Sequence, residues 1–415
     1  SPLPGGGRGG PPTVSDFDGD GLVELAVAGA SAYVLLDIDC GASPRPGGTC
    51  TNGACDPGGC PAGLAWARGT QDQSSNVTGS SIFDFEADGP AEVLYADECF
   101  VRVYDGPSGE VIFSQYRSSC TRIEYPIIAS VANDFCAELT TPSSIACEPG
   151  VVGKDCSNSL NADGVDPQFN GLRCDGDNDC ASGVCDAGLC RCTTSAECCG
   201  TATDAECVEV GYSCVPPEAG TPGTGNTCRA AHPHGLQGIR VYADANDMWV
   251  RSRQIWSQHA YHVTHIEEGG TVPMTSMWSP KWLDADLNNY RQNVPGTQNA
   301  DAQPDTTAGA SSDYSCAAGT AIMTVDVCNR GSGDLPPGIS VGFYVAGSLV
   351  CQASTTMILA PEVCEAVSCS WDAPPNDAGD AVDVDVIADD AGGVTECKEG
   401  NNQGGVFGVF CELPS

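Results

Sequence analysis

Asp16-Phe-Asp18-Gly-Asp20-Gly-Leu22-Val-Glu24-Leu-Ala-Val27 places three carboxylates at alternate positions, follows them with a closing glutamate and runs straight into apolar residues. The pattern returns as Asp84-Phe-Glu86-Ala-Asp88-Gly-Pro90-Ala-Glu92-Val-Leu-Tyr95, and in worn form as Ser130-Val-Ala132-Asn-Asp134-Phe-Cys-Ala-Glu138-Leu-Thr140. The copies begin 68 and 46 residues apart. A Gly/Pro-rich segment of 21 residues, Cys40 to Cys60, lies between the first two, and without it the first offset is 47. One period of about 46 residues therefore organises this part of the chain, which is the length of a four-stranded blade.

A second echo follows the same period. Phe100-Val-Arg-Val-Tyr104 with Val111-Ile-Phe-Ser-Gln-Tyr-Arg117 is matched by Gly238-Ile-Arg-Val-Tyr242 with Met248-Trp-Val-Arg-Ser-Arg253, and each pair reads as a β-hairpin. The surplus between them is the segment from Cys147 to Cys228, which holds twelve cysteines and too few apolar residues to fold without covalent staples. It reads as a disulfide module inserted into the third repeat.

In the first loop the oxygens of Asp16, Asp18 and Asp20 turn inward, Gly19 and Gly21 allow the tight backbone, the Leu22 carbonyl adds a donor and Glu24 closes the site. Hard oxygen donors at this density suit Ca²⁺ rather than a transition metal. The competing reading is a polar hairpin loop with incidental acids. The second loop offers Asp84, Glu86, Asp88 and Glu92, with Pro90 where Leu22 stood. In the third only Asp134 and Glu138 stay in register, so a purely structural loop is expected there. An EF-hand is excluded because a strand, not a ligand-bearing helical turn, follows the acids. The ion's expected role is structural, holding an inter-strand loop rigid.

The Asp-x-Asp-x-Asp-Gly-x-x-Glu motif running into an apolar strand resembles the FG-GAP/VCBS repeats, the calcium-binding blades of integrin-α-like propellers. Arg122-Ile-Glu-Tyr-Pro126 and Ile255-Trp-Ser-Gln-His-Ala-Tyr-His-Val-Thr264 resemble large secreted proteins of myxobacteria and their relatives. The resemblance implies an all-β fold with a partial β-propeller over residues 13–295, interrupted by cysteine-rich insertions at 40–60 and 147–228 and preceded by a Gly/Pro-rich arm at 1–12. Three repeats are fewer than the four to eight blades that close a ring. Further blades of a longer precursor, or strand exchange with neighbouring copies through open edges, would complete it. The arm reads as a processed or trimmed end, suited to donating a strand.

After a linker at 296–304 the chain alternates again: Ile322-Met-Thr-Val-Asp-Val327, Ile339-Ser-Val-Gly-Phe-Tyr-Val345 and Val382-Asp-Val-Asp-Val-Ile387. An Ig-like β-sandwich is expected over 305–415. Asn329-Arg-Gly-Ser-Gly-Asp334, Val341-Gly-Phe-Tyr344 and Glu396-Cys-Lys-Glu-Gly-Asn-Asn402 are similar to the CARDB family of adhesion-related sandwiches from bacterial surface proteins.

Composition agrees with this organisation. Glycine (51) and proline (28) are abundant and aromatics make up only 7%, which fits a loop-rich strand protein and not a helical bundle. A net charge of −38 repels nucleic acid and anionic lipid and attracts divalent cations. Twenty-six cysteines, an even number with no Cys-x-x-Cys pair, point to disulfides in an exported protein. Seven of them lie between residues 316 and 411, so full pairing sends one bridge out of the C-terminal domain or into another chain. No apolar run is long enough to span a bilayer.

Two other features read as structural. His259, His262 and His265 fall on opposite faces of an expected strand and serve packing and hydrogen bonding rather than one metal ion. Trp249, Trp256, Trp278 and Trp282 read as packing residues. Asn76-Val-Thr78 is a glycosylation acceptor pattern in a loop that could be exposed. No Gly-x-Ser-x-Gly, His-Glu-x-x-His or phosphate loop occurs. The expected function is therefore non-catalytic: a calcium-stabilised, disulfide-rich surface protein for adhesion to a cell-surface protein or glycan, or for extracellular assembly. The alternatives are a structural subunit of an extracellular filament or surface layer, and a secreted glycan-binding protein or hydrolase whose site the sequence hides.

Overall fold

A computed structural model of the chain describes residues 4–37, 63–72, 76–86, 88–119, 124–131, 137–143, 164–174, 176–231, 237–244, 249–250, 252–267, 270–277, 283, 287–293, 304–331, 333–360, 363–394, 396 and 400–412. The first sheet contains β1 (Thr13–Ser15), β2 (Glu24–Ala28), β3 (Ala32–Leu36) and β4 (Leu64–Gly69), paired in sequence order. The second repeats it with β5 (Ser81–Phe83), β6 (Glu92–Ala96), β7 (Phe100–Tyr104) and β8 (Val111–Tyr116). The third joins β9 (Ile127–Ala129) to β10 (Glu138–Ser143) and β10 to β15 (Gly238–Tyr242).

Register shows that these are copies of one unit. The first hairpins pair Ser15 with Glu24, Phe83 with Glu92 and Ala129 with Glu138, so each acidic loop is held between equivalent strand ends. The next ladders pair Leu25 with Leu36, Val93 with Tyr104 and Leu139 with Tyr242. The long cysteine-rich insertion therefore enters between the second and third strands of the third unit. The insertion at 40–60 enters between β3 and β4 of the first and lies outside the described residues.

The third unit departs from expectation after its third strand. Among the described residues β15 pairs with β10 alone and 249–250 and 252–253 form no strand beside it; Met248 and Arg251 are outside the described residues. Val250 instead accepts from Ala137 and donates to the Phe85 carbonyl, and the Arg253 carbonyl accepts from Ser130. The segment is drawn between the loops of the second and third sheets because its backbone groups find partners there.

The three sheets pack in series. Every residue of β6 and β7 is buried, a pattern that arises when both faces of a sheet are covered. Val93, Tyr95, Phe100 and Tyr104 face Tyr33 and Trp66 of the first sheet, while Leu94, Ala96, Val101 and Val103 face Ile128 and Leu139 of the third. The outer strand of the third sheet, β15, leaves Ile239 73% and Val241 50% exposed, so the series ends on an apolar face. No sheet among the described residues closes on itself.

Residues 290–293 tie the first strands together. Val14 and Tyr290 exchange both backbone hydrogen bonds, Ile82 donates to the Arg291 carbonyl and accepts from Asn293, and the Asn293 side chain donates to the Ile128 carbonyl at 2.8 Å. One short segment thus contacts β1, β5 and β9. The N-terminal arm, expected to be free to donate a strand, lies on its own sheet: Gly10 donates to the Ala28 carbonyl and Ala30 to the Gly6 carbonyl.

The cysteine-rich module folds around β11 (Cys185–Asp186), β12 (Leu189–Cys192), β13 (Tyr212–Val215) and β14 (Asn226–Ala230), with two short helices, α1 (Ala196–Cys199) and α2 (Asp204–Val210). Five disulfides among its described residues hold it: 174–185, 180–190, 192–214, 198–228 and 199–207. Cys99 of the second unit is also disulfide-bonded. The module is clamped to the second sheet by Arg102, which is fully buried between Asp97 at 2.6 Å and Asp166 at 2.6 Å. Asp166 also accepts from the Ser114 hydroxyl, and Tyr212 donates to the Ser114 carbonyl.

The C-terminal domain is a two-sheet antiparallel sandwich. One sheet orders β16 (Thr306–Ala317), β17 (Thr320–Asn329) and β20 (Cys364–Trp371); the other orders β19 (Ser348–Ser354), β18 (Ser340–Val345), β21 (Val382–Ala388) and β22 (Gln403–Val409). Met323, Val325, Phe343, Val367, Val384 and Val386 interleave as its core, which the alternating strands dictate. Six of the domain's seven cysteines pair internally, as 316–411, 328–364 and 351–369. The seventh, Cys397, lies outside the described residues, as does nearly all of the expected linker at 296–304.

Replacing Arg102 by alanine leaves two buried carboxylates without their shared cation. Unfolding experiments under oxidising conditions should show a loss of roughly 3–5 kcal/mol; wild-type stability in Arg102→Ala would contradict the clamp.

Candidate metal centre

Each acidic loop begins where its first strand ends and is closed by the glutamate that opens the second. Glu24, Glu92 and Glu138 are only 2%, 6% and 2% exposed. Each carboxylate accepts the backbone N–H seven residues earlier: Phe17 to Glu24 at 2.7 Å, Phe85 to Glu92 at 3.0 Å and Val131 to Glu138 at 2.7 Å. The first acid folds the turn beneath it. Asp16 accepts from Gly19 and Gly21, and Asp84 from Asp88 and Gly89. Gly19 and Gly21 have φ of 78° and 85°, a region that favours glycine.

These bonds bring carboxylates together in two of the three loops. Oxygens of Asp16, Asp18 and Glu24 lie within 4.8 Å of one another, and so do those of Asp84, Glu86 and Glu92. The equivalent positions cluster in both, although the middle acid is aspartate in one and glutamate in the other. Asp20 is not in the first cluster; its carboxylate accepts from the Leu22 N–H at 2.8 Å. Asp88 likewise stands outside the second. Leu22 and Pro90, expected as carbonyl donors, hold equivalent places in the two loops. Pro90 packs against Gly19 and Ala91 donates to the Asp16 carbonyl at 3.2 Å, so the two loops lie side by side. In the third loop Glu138 is held as its counterparts are, while Asp134 lies outside the described residues.

Crowding and burial shift the acids as an uncompensated cluster requires. Burial, helped by Asp18 and Asp16, pushes Glu24 up to about 9 against the opposing Phe17 N–H. Burial and then Glu86 raise Glu92 well above the usual carboxylate range. Burial also raises Asp16, and burial with Asp105 raises Asp88. Three converging carboxylates, all hard oxygen donors with no nitrogen or sulfur among them, fit Ca²⁺ in chemical character.

The histidines do not occupy a strand. Residues 263–265 form a 3₁₀ turn, and His262 is fully buried with its Nε2 3.0 Å from the Leu287 carbonyl and its Nδ1 2.9 Å from the Thr264 hydroxyl. His262 therefore does structural work, as expected, but in a different backbone. The Asn76 amide donates to the Asp72 carbonyl and Thr78 is buried, so the acceptor pattern is not an exposed loop. Sequence reasoning treated Trp256 and His259 as packing residues; the structure sets them beside Tyr125 and Arg291 around a cleft of about 250 Å³. Nothing in the linear pattern links residues so far apart.

Residues 306–405 match the CARDB family model, in agreement with the expected sandwich. No curated protein sequence matches the chain. Among solved structures, the Vibrio cholerae biofilm matrix protein Bap1 is similar at 18% identity and a TM-score of 0.35, covering 66% of this chain and 28% of that one. The CARDB domain of a Pyrococcus furiosus protein, solved in complex with di-metal ions, is similar at 21% identity and a TM-score of 0.23, covering 28% of this chain and 100% of that one. Its solution structure gives 23% identity and a TM-score of 0.22. The chain thus spans little more than a quarter of Bap1.

Two outcomes test the loop chemistry. Glu138→Ala removes a buried acceptor in a loop without a described acid cluster, so it should destabilise by about 1–3 kcal/mol whether or not calcium is present. A calcium-dependent loss would assign that loop a metal. The raised Glu24 favours its protonated form in the folded chain. Without calcium, the Glu24 contribution to stability is therefore fully present below the ordinary glutamate value of 4.5 and is lost as pH rises toward about 9. Thermal unfolding in chelator across that window should show the decline, and added calcium should oppose it.

Proposed function

We propose that the chain is a non-catalytic extracellular protein whose acidic loops bind structural calcium and whose role is adhesion or extracellular assembly. The observation that carries this reading is the recurrence of one donor geometry: in two units the first, third and ninth residues of the loop converge, and each cluster is anchored by a buried glutamate. A cation bound there relieves like-charge repulsion that otherwise forces protons onto buried acids. Asp16, Asp18 and Glu24 would hold one ion, and Asp84, Glu86 and Glu92 a second. With its loops fixed, each sheet acts as one rigid blade of an open propeller-like series.

The setting follows from the covalent chemistry. Eight disulfides join described cysteines, a density that persists in oxidising compartments outside the cytosol. No described helix is long and apolar enough to cross a membrane. A charge of −38 favours cations over polyanions as partners. The CARDB match over residues 306–405 is consistent with a surface role for the C-terminal sandwich.

Calcium at about a hundred times its dissociation constant should stabilise the chain by roughly 2.7 kcal/mol per occupied site. Asp18→Asn combined with Glu86→Gln should abolish most of that gain while leaving the calcium-free unfolding temperature near or above wild type, because it removes repulsion. A wild-type response to calcium in the double variant would defeat the assignment.

A further inference from the structure

Arg291 is a buried guanidinium paired only with neutral acceptors. It is 1% exposed, and its backbone adopts a φ of 61°, disfavoured for any residue with a side chain. That conformation is imposed by position: its N–H donates to the Tyr261 carbonyl and its own carbonyl accepts from Ile82, within the segment that ties the first strands together. The side chain donates to the Ser80 carbonyl at 2.6 Å, to the His259 carbonyl and, at 3.4 Å, to the Ser81 hydroxyl. A guanidinium has five N–H donors, so two remain for another partner. Burial lowers its pKa, opposed by the neighbouring phenols of Tyr290, Tyr125 and Tyr33. By contrast, buried Arg102, Arg117 and Arg229 each face a carboxylate.

Aromatic rings flank this cation. Its Cζ lies 5.2 Å from the centre of the Tyr125 ring and 5.4 Å from that of Trp256. Trp256 is fixed by stacking on Tyr261 at 4.4 Å, and His259 meets the edge of Tyr125 at 4.9 Å. Together these side chains line the cleft of about 250 Å³, with exposed Ser257, Gln258 and His259 as a polar rim. That volume suits a single small ring rather than a drug-sized ligand.

We infer that the cleft binds an acidic sugar ring, a hexuronate, with its carboxylate on Arg291 and its apolar face on Trp256 or Tyr125. The guanidinium selects a carboxylate because its planar fork pairs with one bidentately. The rings select a ligand with an apolar face, which inorganic phosphate lacks. A neutral hexose meets the rings but leaves the buried charge uncompensated. The chain's −38 charge opposes anions at long range, yet at physiological ionic strength it is screened beyond about 8 Å, so the local pair decides. The inference supplies a ligand class to the adhesion reading and rests on it only for the extracellular setting, since no acidic-loop residue lines the cleft.

The test titrates the full calcium-loaded chain, freed of unbound ion, with glucuronate, galacturonate, the methyl ester of glucuronate, glucose and inorganic phosphate. Tryptophan fluorescence and calorimetry report binding. Saturable binding of a uronate is expected, weakened roughly tenfold or more in the ester, in glucose and in Trp256→Ala. Arg291→Lys should weaken it similarly, and if that variant fails to fold, Trp256→Ala and Gln258→Ala carry the test. Absence of uronate binding, equal affinity for glucose, tighter binding of phosphate, or wild-type affinity in Trp256→Ala would each overturn the inference. Uronate binding that survives in Asp18→Asn while calcium stabilisation is lost shows that the two sites stand or fall separately.

Discussion

A buried glutamate at the start of the second strand of each unit sets the geometry on which this part of the molecule depends. By accepting the N–H seven residues earlier, Glu24, Glu92 and Glu138 fasten each loop to its own strand end. The bond matters because both partners are sheltered from water, where an N–H left without an acceptor is costly. In the first two loops the same placement draws further acids into a cluster whose repulsion a cation relieves. Loop closure and the proposed ion binding would thus be separate roles of one residue. The third unit shows the first with no described sign of the second.

From those fixed loops the larger architecture follows. Equivalent registers make the three sheets similar slabs, and these stack face to face with both surfaces of the middle one buried. The segment 290–293 gathers the first strands at one end, and the Arg102 clamp fixes the cysteine-rich module to the middle sheet. The module needs its disulfides because its own apolar content is small, and it borrows a buried wall from its neighbour. Both tethers are long-range in sequence, which gives the assembly its rigidity and makes its folding depend on distant contacts.

Much of this was legible in the sequence for physical reasons. A loop that must turn within eight residues and bury a glutamate allows little variation, so its spacing survives even in the worn third copy. Alternation in the C-terminal strands exposed the sandwich in the same way. The second hairpin at 238–253 was misread because apolar residues such as Trp249 and Val250 signal burial without specifying a strand partner, and inter-sheet hydrogen bonds took their backbone groups. Asp20 and Asp88 stand outside the two acid clusters, and alternation along the chain does not reveal which carboxylates converge in space. Arg291 was invisible for a stronger reason: its significance lies in Tyr125 and Trp256 meeting it in space and in a left-handed backbone that no local motif announces.

The most direct measurement is an anomalous-difference map from crystals of the native chain grown with calcium. The account predicts two peaks, one bounded by Asp16, Asp18 and Glu24 and the other by Asp84, Glu86 and Glu92, each with oxygen ligands at about 2.3–2.6 Å. A map without density at either cluster, with those side chains in their present positions, would contradict it.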